Sequence, residues 1–423
     1  MNSSIFRTAK SHPVSHRVVV TGCGAISAIG NSMAQMTQSL RLGRSGVRLV
    51  ASDPSSAPTA AACPLLDITH EELSASERAL FDPVTRYAMH AAGEALEQSG
   101  LLNEAALRNR TAVFIGTAVG GAHAMEEAHR DIWYHGAPPK PLSVLCAMNS
   151  ASAAHLAIRF SLRGPNVTYA TACASSAIAI GDAFHAIRDG RIACALVGGA
   201  EACVTPVVVR AWRSMRILAS VDVRAPGTAC KPFSLNRSGI VLGEGAAMMV
   251  LEPMESALAR GASILCELIG FGANCDATHI CIPSAEGEAA AMALALEDAQ
   301  LEPVDIDYLN ASSSGTRVGD HTETRAIRSC FGAHADRIPA SSTKAAHGHL
   351  LGASGAIELA VSLAALQGCF LPPTINLSDP DPECNLDYVA NQARLDVDIS
   401  TVMSSSFSFG GSNAVLIARR FER

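Results

Sequence analysis

Residues 169–187 read YATACASSAIAIGDAFHAI. The segment before Cys173 is typical of a strand, and the small residues after it are typical of a helix that begins at once. A thiol at such a junction lies against unsatisfied backbone N–H groups and the positive end of the helix dipole, and both favour the reactive thiolate. The stretch therefore predicts a strand–Cys–helix unit in which Cys173 is either a nucleophile or a buried structural cysteine.

Strand-like and helix-like segments alternate on both sides of this unit. The alternation predicts an α/β fold in which helices pack against sheets, and a division near residues 253–263 predicts two parts, 17–253 and 263–423. No duplication is visible in the residues themselves. The main strands are expected over 17–21, 111–116, 193–198, 246–251, 264–271 and 401–406, the first closed by Gly22 and Gly24, and the main helices over 83–99, 150–162, 286–300, 320–331 and 354–367.

The composition excludes several classes of protein. The 423 residues are 48% hydrophobic and carry a net charge of −7, which suits a large buried core and no nucleic-acid partner. The 13 cysteines lack Cys-x-x-Cys spacing, which predicts reduced, mostly buried thiols and no metal site. The polar first sixteen residues and the lack of an apolar run of ~18 residues predict no signal peptide, no membrane span and a cytoplasmic location.

Further motifs lie in order along the chain. SLRGPN precedes the TACASS motif around Cys173, LVGGAE and VLGEGAAMMVLE follow it, and SSTKAAHGHLLGASGAIE and SFSFGGSNAVL lie towards the C-terminus. Jointly, over residues 17–418, they resemble the β-ketoacyl-acyl-carrier-protein synthases I/II, including the ketosynthases of type II polyketide systems. The resemblance implies a thiolase-like five-layer αβαβα fold of two similar halves. It also implies decarboxylative Claisen condensation of acyl and malonyl thioesters in fatty-acid or polyketide biosynthesis.

The resemblance assigns catalytic roles to individual residues. Cys173 would carry the acyl chain, and His349 would stabilise the enolate that forms when the malonyl group loses CO2. Lys344 would orient the site through an ion pair, with Glu358 as the expected partner. Glu323 matches a further carboxylate of the family.

Other matching residues would surround the substrate. Phe409 matches the family's gating aromatic, and its backbone N–H would form an oxyanion hole with that of Cys173. Ser408 replaces the usual Gly before this gate, which bears on its mobility. The substrate-binding residues would be Ser314 and Thr316, whose hydroxyls would hold the pantetheine arm, and His279, which retains the family's Asp-Ala-x-His segment. No cofactor is expected to be bound, because the phosphopantetheine arm of an acyl carrier protein would carry the substrates.

The family pattern breaks at one catalytic position. The family carries a second catalytic His in Asn-Ala-His-Gly-Thr-x-Thr, whereas residues 310–316 here read NASSSGT and place Ser312 where the His belongs. Serine can donate a hydrogen bond but cannot hold a proton near neutral pH as imidazole can. Acylation of Cys173 is therefore expected to persist, and efficient malonyl decarboxylation is the step that this replacement affects.

Three functions remain open at this point. The chain is a condensing enzyme with a Cys-Ser-His set, a chain-length-factor-like subunit that pairs with a complete ketosynthase, or a non-elongating acyltransferase. The loss of the His favours the second function, and the retention of Cys173 opposes it. A plain thiolase is disfavoured because the turn SFSFGGSN contains no second catalytic cysteine.

A basic and partly aromatic cluster bears on the partners. Arg210, Arg213 and Arg216 recur every three residues around Trp212. In an acidic protein this cluster is either a solvated face or a docking site for an acidic acyl carrier protein, where charge speeds encounter. Residues 120–127 and 145–155 match family segments at a dimer interface. They predict a homodimer, or a heterodimer with a complete ketosynthase.

Overall fold

The structure is a computed structural model that describes residues 15–51, 60–65, 74, 77 and 80–422. The first fourteen residues, on which most of the signal-peptide prediction rests, lie outside this part of the chain. The strands in chain order are β1 (Val18–Ser27), β2 (Arg48–Val50), β3 (Ala60–Cys63), β4 (Thr111–Gly116), β5 (Asn166–Tyr169), β6 (Cys194–Glu201), β7 (Leu242–Gly243), β8 (Gly245–Pro253), β9 (Cys266–Cys275), β10 (Tyr308–Asn310), β11 (Pro339–Ser341), β12 (Phe370–Leu371), β13 (Asp387–Tyr388), β14 (Arg394–Leu395), β15 (Thr401–Phe407) and β16 (Ser412–Arg419).

The helices include the ones that the sequence predicted, with ends shifted by a few residues at most. The helix Pro83–Ser99 has the predicted bounds, and Asp82 caps its N-terminus through a hydrogen bond from the backbone of Val84. The helices are α1 (Met33–Arg41), α2 (Pro83–Ser99), α3 (Ala105–Arg108), α4 (Ala122–Tyr134), α5 (Ser143–Ala147), α6 (Ala151–Phe160), α7 (Ser175–Arg188), α8 (Pro206–Ser214), α9 (Met254–Ala259), α10 (Ala285–Ala299), α11 (Arg317–Phe331), α12 (Lys344–His347) and α13 (Ser354–Gly368).

Strand β1 continues through Gly22 and Gly24, so the prediction that these glycines close the strand is wrong. A Cβ atom on Gly22 would lie 2.0 Å from the carbonyl oxygen of Ala95, and one on Gly24 would lie 2.1 Å from that of Ala91. Helix α2 packs directly against β1 at these positions. The glycines therefore mark a close approach of helix and strand rather than a turn.

The main sheet has the strand order β13-β11-β10-β15-β16-β9-β1-β8-β6-β4-β5. Read towards the centre of the sheet, β5-β4-β6-β8-β1 from one side and β11-β10-β15-β16-β9 from the other show the same succession of two parallel and two antiparallel pairings, with β13 added outside β11. Each set also has the same order in the chain. The duplication is thus evident in the topology, because pairing and burial are maintained by residue type rather than by residue identity.

The two sets of strands enclose a central pair of helices. Helices α7 and α13 pack against each other and against strands of both sets. Helix α2 covers the outer face of the first set, and α10 covers that of the second. The expected five-layer αβαβα arrangement of two similar halves is confirmed.

One helical stretch, Leu351–Gly368, is long and apolar enough to cross a membrane by length and composition. The sequence predicts no membrane span here, because Ser354 and Glu358 interrupt the run of apolar residues. The stretch is 89% buried inside the protein, as expected for a helix between two sheets.

Candidate active site

Cys173 lies in a short 3-10 turn, Ala172–Ala174, that joins the end of β5 to the start of α7. Ala172 has a φ of +49°, a strained conformation for a residue with a side chain, and such strain is concentrated at functional sites. The second half repeats the arrangement, since Leu351 has a φ of +42° in the turn before α13. Gly352 there occupies the position of Cys173, so only the first half carries a nucleophile.

His349 is the direct partner of the thiol. Its Nε2 lies 3.1 Å from the Cys173 sulfur, and its Nδ1 lies 2.8 Å from the hydroxyl oxygen of Ser354. If the ring carries its proton on Nδ1 and donates it to Ser354, the Nε2 lone pair faces the thiol. Burial, together with the positive charge of Lys344, holds the pKa of His349 well below its usual range. The imidazole is therefore neutral and is placed to accept the thiol proton.

The helix end alone does not determine the protonation state of the Cys173 thiol. Burial raises the pKa of Cys173 to about 12, although the charge of Lys344 and the backbone N–H of Phe409 act in the opposite direction. The residue is only 5% exposed, and desolvation of the anion outweighs the effects of Lys344 and of the Phe409 N–H. The resting nucleophile is a neutral thiol, which needs the neighbouring imidazole as its base.

Lys344 and Glu358 form the ion pair that the sequence analysis expected. Both side chains are almost completely buried, and burial raises the pKa of Glu358 to about 7. The pair lies close enough to influence both reactive groups, because the charge of Lys344 lowers the pKa of Cys173 and of His349. It contributes electrostatics and position rather than a proton that reaches the substrate.

Ser312 is held from two sides. Its backbone N–H donates to Glu323 Oε1 at 2.7 Å, and its hydroxyl oxygen accepts the backbone N–H of Phe407 at 3.0 Å. Glu323 also accepts the hydroxyl of Ser313 at 2.5 Å. Glu323 therefore positions the backbone of this loop, and a short hydroxyl takes the place of an imidazole.

Glu201 is a buried carboxylate that sequence reasoning did not single out. It accepts the backbone N–H groups of Ala118, Val119 and Gly352 at 2.7, 3.2 and 3.0 Å. Burial raises its pKa to about 7 against these hydrogen bonds. It fixes the turn before α13 against the loop after β4, which bounds the nucleophile turn. The available clue was the final residue of the quoted motif LVGGAE.

These groups meet in a cavity of about 380 Å³. Cys173, Ser312, His349 and Phe409 contribute to its wall. Lys344 and Glu358 are not among the lining residues. The predicted substrate-binding residues Ser314, Thr316 and His279 also line the cavity. Cys281 and Arg216 line it as well.

The gate and the basic cluster meet at one side of the cavity. The ring of Trp212 stacks on Phe409, with centroids 5.9 Å apart and an interplanar angle of 26°. Ser408 donates its hydroxyl to the carbonyl oxygen of Ser412 at 2.8 Å, which ties the turn that carries Phe409. Arg216 reaches the cavity wall, whereas Arg210 and Arg213 lie on the exposed side of α8. The structure thus separates the predicted docking cluster into a part at the cavity and a part on the surface.

A cysteine nucleophile with a neutral histidine, set at the central helix of a duplicated five-layer fold, defines a thiolase-like acyl-transfer protein. Two family patterns cover most of the chain: Beta-ketoacyl synthase, N-terminal domain, over residues 15–257, and Beta-ketoacyl synthase, C-terminal domain, over residues 265–378. The chain belongs to the beta-ketoacyl synthase family. It is a ketosynthase-family protein of fatty-acid or polyketide assembly.

Individual relatives are similar over nearly their whole length. The chain is 38% identical over 413 residues to 3-oxoacyl-[acyl-carrier-protein] synthase 2 of Staphylococcus aureus (strain COL), covering 96% of this chain and 99% of the relative. Among solved structures, the ishigamide ketosynthase/chain length factor has a TM-score of 0.88 at 32% identity, covering 96% and 100%. A type II PKS acyl-carrier protein in complex with its ketosynthase bound to the hexaketide has a TM-score of 0.87 at 29% identity, with the same coverage.

Proposed function

We propose that this chain takes an acyl group from an acyl carrier protein onto Cys173 and condenses it with a malonyl unit, with slow decarboxylation when it acts alone. The observation that carries the proposal is the 3.1 Å contact between the thiol and the neutral His349 inside a cavity that also contains Ser312. This pair supports the first half of the reaction directly. The second half of the reaction, decarboxylation and condensation, depends on the polar groups that share the cavity with Cys173.

The acylation step follows from the thiol–imidazole pair. His349 Nε2 accepts the thiol proton as the sulfur attacks the carbonyl carbon of the incoming thioester. The C–S bond to the pantetheine thiol then breaks, and the leaving thiolate takes the proton back from the imidazole. The backbone N–H of Phe409, which is close enough to lower the pKa of Cys173, would stabilise the oxyanion together with that of Cys173.

The condensation step lacks one polar group. Loss of CO2 from the malonyl thioester leaves an enolate, whose oxygen needs hydrogen-bond donors of suitable strength. His349 remains, but Ser312 offers a hydroxyl whose oxygen already accepts the N–H of Phe407. A single acid–base or electrostatic group typically accounts for ~10²–10⁴ in rate, which sets the expected deficit.

Restoring the imidazole tests this reading. We expect Ser312→His to raise the rate of malonyl decarboxylation by the isolated chain at least ~10²-fold, because it returns the missing donor to the cavity. The measurement is the appearance of the acetyl form of a malonyl-loaded acyl carrier protein, followed by intact mass. The matched control is Ser238→His, which places an imidazole elsewhere on the same cavity wall.

Two results would contradict the proposal. Turnover by the unmodified chain at the rate of the Ser312→His variant would show that Ser312 limits nothing. A lack of condensation in both proteins, with Cys173 still acylated, would instead identify a non-elongating acyltransferase.

A second candidate function is a chain-length-factor-like subunit, and an unpaired surface supports it. Strand β5 ends the main sheet, with one edge unpaired among the described strands. Large apolar side chains are exposed on α6, which packs against β5, and on the two helices that adjoin α6 in turn: Ile158 on α6, Val144 on α5, and Trp133 and Tyr134 on α4. An open strand edge beside exposed apolar residues is a protein-binding surface, which fits a homodimer or a heterodimer with a complete ketosynthase.

Charge on this surface is expected to prevent association. Ile158 is 74% exposed on α6, so Ile158→Asp leaves the fold intact and introduces a charge into the interface. We expect light scattering after size exclusion to show a dimer for the unmodified chain and a monomer for the variant. The control is Val304→Asp, which changes a 64% exposed apolar residue of the C-terminal half. A monomer for the unmodified chain that gains neither a second copy nor a ketosynthase partner would contradict the dimer.

The remaining features of the proposal concern the substrates and the chain as a whole. The hydroxyls of Ser314 and Thr316 on the cavity wall support a role in holding a phosphopantetheine arm. Arg216 at the cavity and the arginines of α8 support docking of an acidic carrier protein. A cytoplasmic location and a division into halves at 17–253 and 263–423 complete the proposal, and the two matched family regions support that division.

A further inference from the structure

Glu288 is a buried carboxyl group that the proposed reaction does not yet use. It lies in the first turn of α10, on the face that also carries Ala285, Ala291 and Met292, where helical spacing calls for apolar side chains. It is 2% exposed, and its Oε2 has no hydrogen-bond partner within the described part of the chain. An unpartnered polar atom of this kind costs stability, so its presence needs an explanation.

Glu288 lies at the active site, among other carboxyl groups. It lines the same cavity as Cys173, Ser312 and His349. The neighbouring carboxylates, Asp276 and Glu323, already accept hydrogen bonds from the protein. Asp276 accepts Asn413 Nδ2 at 2.6 Å and the N–H of Ser284 at 3.0 Å, and Glu323 holds the loop of Ser312. Of these three carboxyl groups, Glu288 alone has a buried oxygen that forms no hydrogen bond within the described residues, so this oxygen is available to a ligand.

The environment also favours the protonated form of Glu288. Burial raises the pKa of Glu288 well above its usual value, and the negative charges of Glu323 and Asp276 raise it further. A neutral carboxylic acid has an O–H that can donate a hydrogen bond, which a carboxylate lacks. The direction of this shift favours an O–H donor on the cavity wall that also carries Ser312.

We propose that Glu288 is a substrate-contacting hydrogen-bond donor that stabilises the enolate oxygen of the malonyl thioester and so compensates in part for the imidazole that position 312 lacks. The inference rests on the proposed condensing function. The C–C bond to the malonyl carboxylate breaks, CO2 leaves, and the electron pair moves to the thioester as an enolate, whose oxygen shares the proton of Glu288. The enolate carbon then attacks the acyl group, the C–S bond to Cys173 breaks, and the cysteine thiolate takes one proton from water. Glu288 keeps its own proton throughout.

The test compares the two half-reactions in the full chain. We expect Glu288→Ala to lower decarboxylation of a malonyl-loaded acyl carrier protein at least ~10-fold while acylation of Cys173 stays within about twofold. Glu288→Gln keeps an N–H donor of similar shape and is expected to retain most of the decarboxylation. The matched control is Glu286→Ala in the same helical turn. The Glu286 side chain is 84% exposed and does not line the cavity.

A double variant separates a chemical role from a structural one. Ser312→His should restore decarboxylation in the Glu288→Ala background, because either group can supply the donor. The inference is overturned if Glu288→Ala leaves decarboxylation unchanged, lowers both half-reactions equally, or is matched in its loss by Glu288→Gln. It is also overturned if the unmodified chain releases no CO2 with or without a ketosynthase partner. Persistent acylation of Cys173 in that last case would leave the acyl-carrying function standing.

Discussion

Replacement of Cys173 by alanine is expected to abolish the covalent acyl adduct. The sulfur lies 3.1 Å from His349 Nε2, and its removal takes the nucleophile from the strained turn before α7. We expect transfer from an acyl-loaded carrier protein to fall at least ~10³-fold, since the covalent intermediate itself is lost. Intact-mass measurement of the chain after incubation with the carrier protein reports the adduct directly.

A second cysteine provides the matched control. Cys281 lines the same cavity and is exposed, so it is the more accessible thiol. Cys281→Ala is expected to acquire the adduct like the unmodified chain, because no imidazole contact to this thiol is found among the described residues. An adduct that survives in Cys173→Ala, or that disappears in Cys281→Ala, would place the acyl group on the wrong sulfur for every function proposed above.

Breaking the buried ion pair is expected to have the largest effect on stability. Lys344→Met leaves Glu358 fully buried without its counter-charge, and loss of one partner of a buried pair typically costs about 3–5 kcal/mol. The folded-state pKa of Glu358 is already raised from 4.5 to about 7, and loss of the lysine raises it further. Because the fold disfavours the ionised form, the variant loses stability as the pH rises from about 4.5 upwards.

Urea unfolding at about pH 5 and pH 8 measures this difference, with the larger deficit at the higher pH. Replacing both charges in Lys344→Met/Glu358→Leu should recover most of the stability, since a well-packed apolar pair avoids the desolvation penalty. Arg325→Met removes a cation from an exposed pair with Glu286 and is expected to change stability little. A deficit for Lys344→Met that is equal at both pH values, or that the double variant does not relieve, would contradict the electrostatic account.

Patterns of apolar and small residues were sufficient to predict most of the fold. The helix Pro83–Ser99 and the strand Thr111–Gly116 have the predicted bounds, because burial on one or both faces selects residue type along the chain. Gly22 and Gly24 were misread, since the helix that needs their lack of a side chain lies about 70 residues further on. The duplication was invisible for a related reason, because strand order and pairing direction recur without recurrence of the residues.

For the active site, too, the sequence predicted some features and not others. The motifs were sufficient to identify Cys173, His349, Lys344 and Ser312 as a set. The structure places Cys173, His349 and Ser312 on one cavity wall, and the charge of Lys344 acts on the first two. The protonation state of the nucleophile was not accessible, because local sequence reports a helix dipole but not the burial that raises the pKa of Cys173 to about 12. Glu288 was missed because it looks like one acidic residue among the alanines of α10.

The sequence by itself thus determined the order of strands and helices, the motif residues and the loss of an imidazole at position 312, since these depend on residue type and spacing. Only the tertiary structure decided that the thiol rests neutral beside a neutral His349, that Glu201 joins the turn before α13 to the loop after β4, and that Glu288 faces the cavity. Each of these depends on burial and on contacts between segments more than 100 residues apart in the chain. Such contacts leave no local pattern for a sequence to show.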